Sequence, residues 1–203
     1  MGYQSLFKMP TPVKITGRTS SITNAFINGI IPCIVPSEEE IKSVLTILGM
    51  DETSICCAYC GGKYTEWDHF RPLILNKRAT GYISEINNLV PSCGKCNQSK
   101  GNTNWKTWMT GNAQLSPTVR KIKDLNERIM RLEEYEKWSN PQKIDFEKIV
   151  GKEKWEQHWI NCELLHEQMR ESQKLSDEIK QAVQEYSTRN VLATDSRDNE
   201  RRD

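Results

Sequence analysis

Four cysteines stand in two Cys-x-x-Cys pairs, Cys57/Cys60 and Cys93/Cys96. Between the pairs lies Asp68-His69, and the second pair runs directly into Asn97. Zinc takes four ligands at the corners of a tetrahedron, and two such pairs supply them. Thirty-two residues separate the pairs, so one ion would staple two distant segments. A core of about fifty residues seldom holds itself by apolar burial alone, which makes such a staple necessary. Cys60-Gly61 forms a knuckle at which backbone amides can approach the thiolates. The chain has seven cysteines. That odd number, with paired spacing, suits a metal in a reducing compartment better than a disulfide framework. Cys33 and Cys162 read as small buried hydrophobes, and Cys56 beside Cys57 leaves the register of the first pair open.

Asp68 and His69 are neighbours, and neighbouring side chains of a regular strand point to opposite faces. Both can serve one site only where the strand ends, and Arg71-Pro72 supplies such an ending. Asn97 lies one residue beyond Cys96, about 100 degrees further round a helix, and so faces away from the thiolates. Carboxylate and amide oxygens of the kind Asp68 and Asn97 carry suit a hard divalent cation. Lys100, one turn beyond Asn97, and Arg71 are candidate phosphate contacts. His158, Cys162 and His166 recur at i, i+4 and i+8. That stripe could hold a second metal, although a helix face with one buried thiol is the plainer reading. Trp105, Trp108, Trp138, Trp155 and Trp159 read as packing anchors rather than base-stacking platforms.

The elements that must position these groups follow from pattern. Ser37 precedes three glutamates and an apolar face of Ile41, Val44, Leu45 and Leu48, which predicts a capped helix ending at Gly49. A short helix is expected just before Pro32, after a basic, proline-containing arm. Residues 63–70 and 86–90 read as strands, joined by a long polar loop with access to substrate. A short helix follows over 92–100, stopped by Gly101. Beyond 111 the chain is helical, first from Ser116-Pro117 through Ile122, Leu125, Ile129 and Leu132. After a break at 139–141 a second long helix runs to about 186, with an apolar stripe of Trp155, Trp159, Cys162, Leu165 and Met169. The expected class is α+β. The expected parts are an arm with helices (1–53), a zinc-stapled ββα core (54–112), a helical region (113–187) and an unstructured tail (188–203).

Composition narrows the function classes. Charged residues make up 27% of the chain and the net charge is only +1. Residues 56–106 nevertheless carry seven Lys/Arg against three Asp/Glu, a local bias that permits nucleic-acid binding. The longest apolar stretch, 25–35, is broken by Asn28, Gly29 and Pro32, well short of the roughly 18 apolar residues of a membrane helix. With no signal-like N-terminus, a cytoplasmic protein without a membrane partner is expected.

Residues 57–105, through CAYCG, DHFRP, NNLVPSC and CGKCNQSKG, resemble the HNH nucleases, also called ββα-metal or His-Me finger nucleases. The resemblance implies that His69 is the general base, that Asp68 and Asn97 bind a catalytic Mg²⁺ or Mn²⁺, and that Asn88 braces the loop. Asn97 stands where the family's final motif position is His or Asn, an H-N-N arrangement. The implied activity is metal-dependent hydrolysis of DNA, and the whole-chain layout looks like stand-alone bacterial restriction-type enzymes acting in restriction or phage defence. Two other readings carry weight: an effector nuclease governed by a defence-system partner docked on the C-terminal helices, and a zinc module that only binds nucleic acid. A homodimer through the C-terminal helices would give a double-strand cutter its two sites.

Overall fold

A computed structural model of the chain describes residues 3–199, without the side chains of Gln4, Ser5 and residues 190–199. The helices are α1 (Thr19–Asn28), α2 (Glu38–Ile47), α3 (Gly94–Lys100), α4 (Trp105–Thr110), α5 (Leu125–Trp138), α6 (Phe146–Val150) and α7 (Lys152–Asn199). The strands are β1 (Glu66–His69), β2 (Ile74–Leu75), β3 (Arg78–Ala79) and β4 (Leu89–Ser92). The class is α+β, as expected. The described residues divide into two compact units, one of residues 25–155 and one of the described parts of 1–24 and 156–203.

Within residues 25–155, β1 and β4 pair antiparallel, with Asp68 opposite Val90 and His69 opposite Leu89. The helix α3 follows β4 after a single residue, Cys93. Gly101, at φ 49°, stops α3 as expected. The second strand begins later than the sequence suggested, because Ile86–Asn88 forms a 3-10 turn first. The intervening loop is not irregular either. It contains the hairpin β2–β3, turned by Asn76 and Lys77, which both take positive φ.

The core of this unit is aromatic. Phe70 stacks on Trp105 and meets Tyr135 edge-on, while Tyr59 meets Trp108 edge-on. Trp105 and Trp108 are buried, which supports the packing role expected of them. Ser37 caps α2 in a full capping box with Glu40, and Val44 and Leu45 turn inward with Leu48. The residues after Ser116 do not yet form a helix. Regular helix begins only at Leu125, since the Ser116 hydroxyl is engaged with Gly111 O and Lys121 takes a positive φ. From there Leu132 and Tyr135 enter the core, and the Tyr135 hydroxyl donates to Ile86 O and Leu89 O.

In the other unit, α7 buries Trp159, Cys162 and His166. Leu165, expected on that stripe, is exposed, because the buried face steps 159, 162, 166. Gln173 Oε1 accepts from Ile15 N at 2.6 Å, tying the arm to this helix. The helix runs past 188, where an unstructured tail was expected. No proline or glycine interrupts 152–199. Residues 200–203 lie outside the described residues. No helix among the described residues is long and apolar enough to cross a membrane.

Candidate active site and metal centre

The knuckle after Ala58 and the turn into α3 bring the four cysteine sulfurs together. The Sγ atoms of Cys57, Cys60, Cys93 and Cys96 all lie within 4.8 Å of one another. Cys60 and Cys93 are 3.8 Å apart. A tetrahedron of Zn–S bonds about 2.3 Å long has edges of about 3.8 Å, so the donor set fits zinc. Packed thiols resist collective ionisation. The neighbouring Cys60 pushes the Cys57 thiol up to about 11, and Cys57 and Cys60 push Cys96 up as well. Cys60 is shifted down, first by Cys57 and Cys96 and further by the Gly62 amide and Arg120. A divalent cation removes this conflict by compensating the thiolates together.

Two arginines that the sequence did not single out support this centre. Arg120 Nη1 donates to Cys96 Sγ at 3.3 Å. Arg128 is buried, pairs with Asp124 and donates to Cys57 O at 3.1 Å. Nothing in their local pattern marks them, because the groups they bind lie 24 and 71 residues upstream.

The Asp68-His69 pair sits at the end of β1, where the strand stops and the requirement for opposite faces lapses. Asp68 is buried and both of its partners use Oδ2: the Tyr59 hydroxyl at 2.7 Å and the Lys100 ammonium at 3.0 Å. Oδ1 has no hydrogen-bond partner among the described residues. His69 is half-buried, and its Nε2 lies 2.8 Å from Ser84 Oγ. Burial lowers its pKa from the ordinary 6.5; Asp68 opposes the shift and Lys100 adds to it. Ser84 is held in turn by a bridge to Cys33, with Ile34 N donating to Ser84 O at 2.8 Å. That segment leaves the Cys33 side chain exposed, not buried as expected.

Asn88 is fully buried and locks the turn after His69. Its Oδ1 accepts from Arg71 N at 2.8 Å, and its Nδ2 donates to Arg71 O at 3.1 Å. Asn97 lies on α3, three residues before Lys100 and therefore on the same helical face. Lys100 reaches both Asp68 Oδ2 and His69 O (2.9 Å), so this face of α3 is turned toward the end of β1. The Asn97 side chain has no hydrogen-bond partner among the described residues.

Two expected phosphate contacts are placed elsewhere. The Lys100 side chain is 1% exposed and fully engaged with Asp68, His69 O and Gly101 O. Arg71 donates to Ser139 Oγ at 3.0 Å and to Glu136 O at 3.2 Å, capping the C-terminal end of α5. The His158, Cys162 and His166 stripe does not assemble a metal site. Among the described residues the only group of three or more ligands is the four-cysteine cluster. His166 instead contacts Thr23 Oγ1 at 3.4 Å, and His158 meets Trp159 edge-on.

A buried Asp beside a half-buried His at a strand end, an opposing helix whose Asn97 amide has no partner among the described residues, and a four-cysteine centre beside them point to one kind of domain. Residues 57–103 match the HNH endonuclease family. The chain also resembles a curated relative, the CRISPR-associated endonuclease Cas9 of Corynebacterium diphtheriae, at 43% identity over 56 residues. That match covers 26% of this chain and 5% of the relative, so the chain spans only a small part of that relative's length. No solved structure matches the chain. Within the HNH domain β1, β4 and α3 form the ββα unit, and members of the family are nucleases.

Proposed function

We propose that this chain is an endonuclease that hydrolyses DNA phosphodiester bonds in restriction or anti-phage defence, in the cytoplasm. His69 is the general base. With Nε2–H donating to Ser84 Oγ, the ring presents Nδ1 as the acceptor for the proton of an attacking water. As the water oxygen bonds to phosphorus, the P–O3′ bond breaks and its electron pair leaves on the 3′ oxygen. A Mg²⁺ or Mn²⁺ ion, held by Asp68 Oδ1 and Asn97, would supply charge stabilisation at the phosphate and at the leaving oxygen. Asn88 fixes the turn after His69, and Lys100 and Tyr59 fix Asp68 from the side opposite Oδ1.

One observation supports this reading: His69 has one ring nitrogen anchored while two oxygen ligands, Asp68 Oδ1 and the Asn97 amide, have no hydrogen-bond partner among the described residues and sit on facing elements. A module that only bound nucleic acid would have no use for that pairing of an anchored base with free oxygen ligands. The likeness to a CRISPR-associated endonuclease supports the defence setting. A second copy docked through the C-terminal helices would give two cutting sites. Supercoiled plasmid incubated with Mg²⁺ and zinc-loaded protein tests the proposal. The wild type is expected to nick or linearise it, and His69→Ala to lose at least a hundredfold in rate. Equal rates for the two proteins would overturn the assignment.

A further inference from the structure

With Lys100 and Arg71 engaged inside the protein, the two cations expected to hold a phosphate backbone are taken up elsewhere. The structure offers others in a cleft beside β2–β3. A cavity of about 430 Å³ opens there, lined by Leu75, Asn76, Arg78, Thr80, Tyr82 and Lys143 among others. Arg78 and Lys143 are exposed, as is Lys77 at the hairpin tip. The Lys143 ammonium lies 5.7 Å from the centroid of the Tyr82 ring. No carboxylate lines the cavity among the described residues. Another cavity of this unit, against α2, is lined by Glu38, Asp51 and Glu52 with Lys42 as the single cation among its lining residues, a net negative lining that disfavours phosphate.

The cleft is built into the fold. Asn76 and Lys77 turn the hairpin through successive positive φ angles, which sets Arg78 on β3 beside the cavity. Thr80 Oγ1 donates to Pro72 O at 2.8 Å and closes the hairpin base. At Gly81, φ is +97° and a Cβ would stand 2.8 Å from Ile144 O. Only glycine lets the segment carrying Lys143 come this close, and Ile144 N donates to Gly81 O at 2.8 Å to hold it. Both ends of the cleft lie near His69 along the chain or through its partner. Pro72 follows His69 by three residues, a span of at most about 10 Å, which places the cleft within reach of the phosphates next to the cut. At the other end Tyr82 precedes Ser84, the residue that anchors His69, by two positions.

We infer that this cleft binds the DNA strand flanking the scissile phosphate, with Lys77, Arg78 and Lys143 on the phosphates and Tyr82 as an aromatic platform. Cations interleaved with an aromatic face are the chemistry of backbone tracking with base stacking. The inference rests on the nuclease reading for the position of the cut, not for the binding itself. The test is fluorescence anisotropy of a labelled DNA duplex with zinc-loaded full-length protein, in Ca²⁺ to suppress cleavage, across a salt series. The variant Lys77→Asn/Arg78→Gln/Lys143→Gln keeps the turn chemistry and removes three cations at exposed positions. It is expected to bind at least tenfold more weakly and to flatten the slope of log K against log salt by about 2.7. Lys143→Arg, which keeps the cation, should bind as the wild type does. In Mg²⁺ the triple variant should show a raised KM with kcat retained. Wild-type slope and affinity in the triple variant, beside His69-dependent cutting, would overturn the cleft and leave the nuclease reading standing. Loss of binding in a protein that never cuts would uphold the cleft and overturn that reading. A wild type that does not bind the duplex overturns both.

Discussion

The Lys100 ammonium lies 3.0 Å from Asp68 Oδ2, and both side chains are almost sealed from solvent. This is a buried ion pair with three further hydrogen bonds, from Tyr59 to the carboxylate and from the ammonium to His69 O and Gly101 O. Breaking such a pair leaves a charge stranded in a poor solvent. Lys100→Met should therefore destabilise the protein by about 3–5 kcal/mol. Adding Asp68→Asn should recover part of the loss, because the stranded charge is then gone. Denaturant unfolding of the single and double variants measures both. A surface cation that merely touched phosphate would cost less than about 0.5 kcal/mol.

The same pair bears on the pH dependence of cleavage. The base must be neutral, so the rate rises as pH climbs through the folded-state pKa of His69. Burial and Lys100 hold that pKa below 6.5, against the pull of Asp68. The rising limb of kcat/KM against pH should thus have its midpoint below 6.5. Stability follows the same sign: the unfolded chain takes up the proton more readily, so the His69 contribution is present above about pH 6.5 and is lost as pH falls toward the folded-state pKa. A pH–rate profile with a midpoint at or above 6.5 would contradict the buried environment.

Metal content offers an independent check. Four sulfurs within 4.8 Å of one another should bind one zinc per chain. Cys57→Ser or Cys96→Ser should lose that zinc and the near-ultraviolet signal of Tyr59 and Trp108, which pack together beside the knuckle. Elemental analysis and circular dichroism read the two effects. A folded, zinc-free wild type would dispose of the staple.

Much of this site was legible because its chemistry is local in sequence. Cysteine spacing gave the staple, and an acid-histidine pair before proline gave the strand end. The Ser37 capping box and the glycine stop of α3 were equally plain. What escaped was what depends on distant segments. Lys100 looks like a surface cation on α3, and only the approach of β1 makes it a buried partner. Ser84 has no motif and gains meaning from the bridge to Cys33. The hairpin β2–β3 was hidden because Asn76-Lys77 lacks the glycine that usually marks such a turn. The late start of α5 reflects side chains that bind backbone in the preceding turns, a competition that apolar periodicity does not register.

Gly61 joins the zinc knuckle to α5 and makes the most specific prediction. Its φ is +72°, and a Cβ there would stand 2.3 Å from Arg128 Nη2. Arg128 cannot retreat cheaply, because it pairs with Asp124 and donates to Cys57 O and Ala58 O. Gly61→Ala therefore forces either an unfavourable backbone angle or the loss of those bonds, and should cost more than about 1 kcal/mol. Zinc should be released at lower chelator concentration as well, since Cys57 and Cys60 flank the disturbed turn. Gly61→Ala/Arg128→Ala relieves the collision but not the φ, so it should restore less than the full stability of Arg128→Ala alone. Denaturant unfolding of the single and double variants, with a chelator titration of each, measures these effects. A Gly61→Ala protein as stable and as zinc-retentive as the wild type would show that the knuckle is not clamped by Arg128.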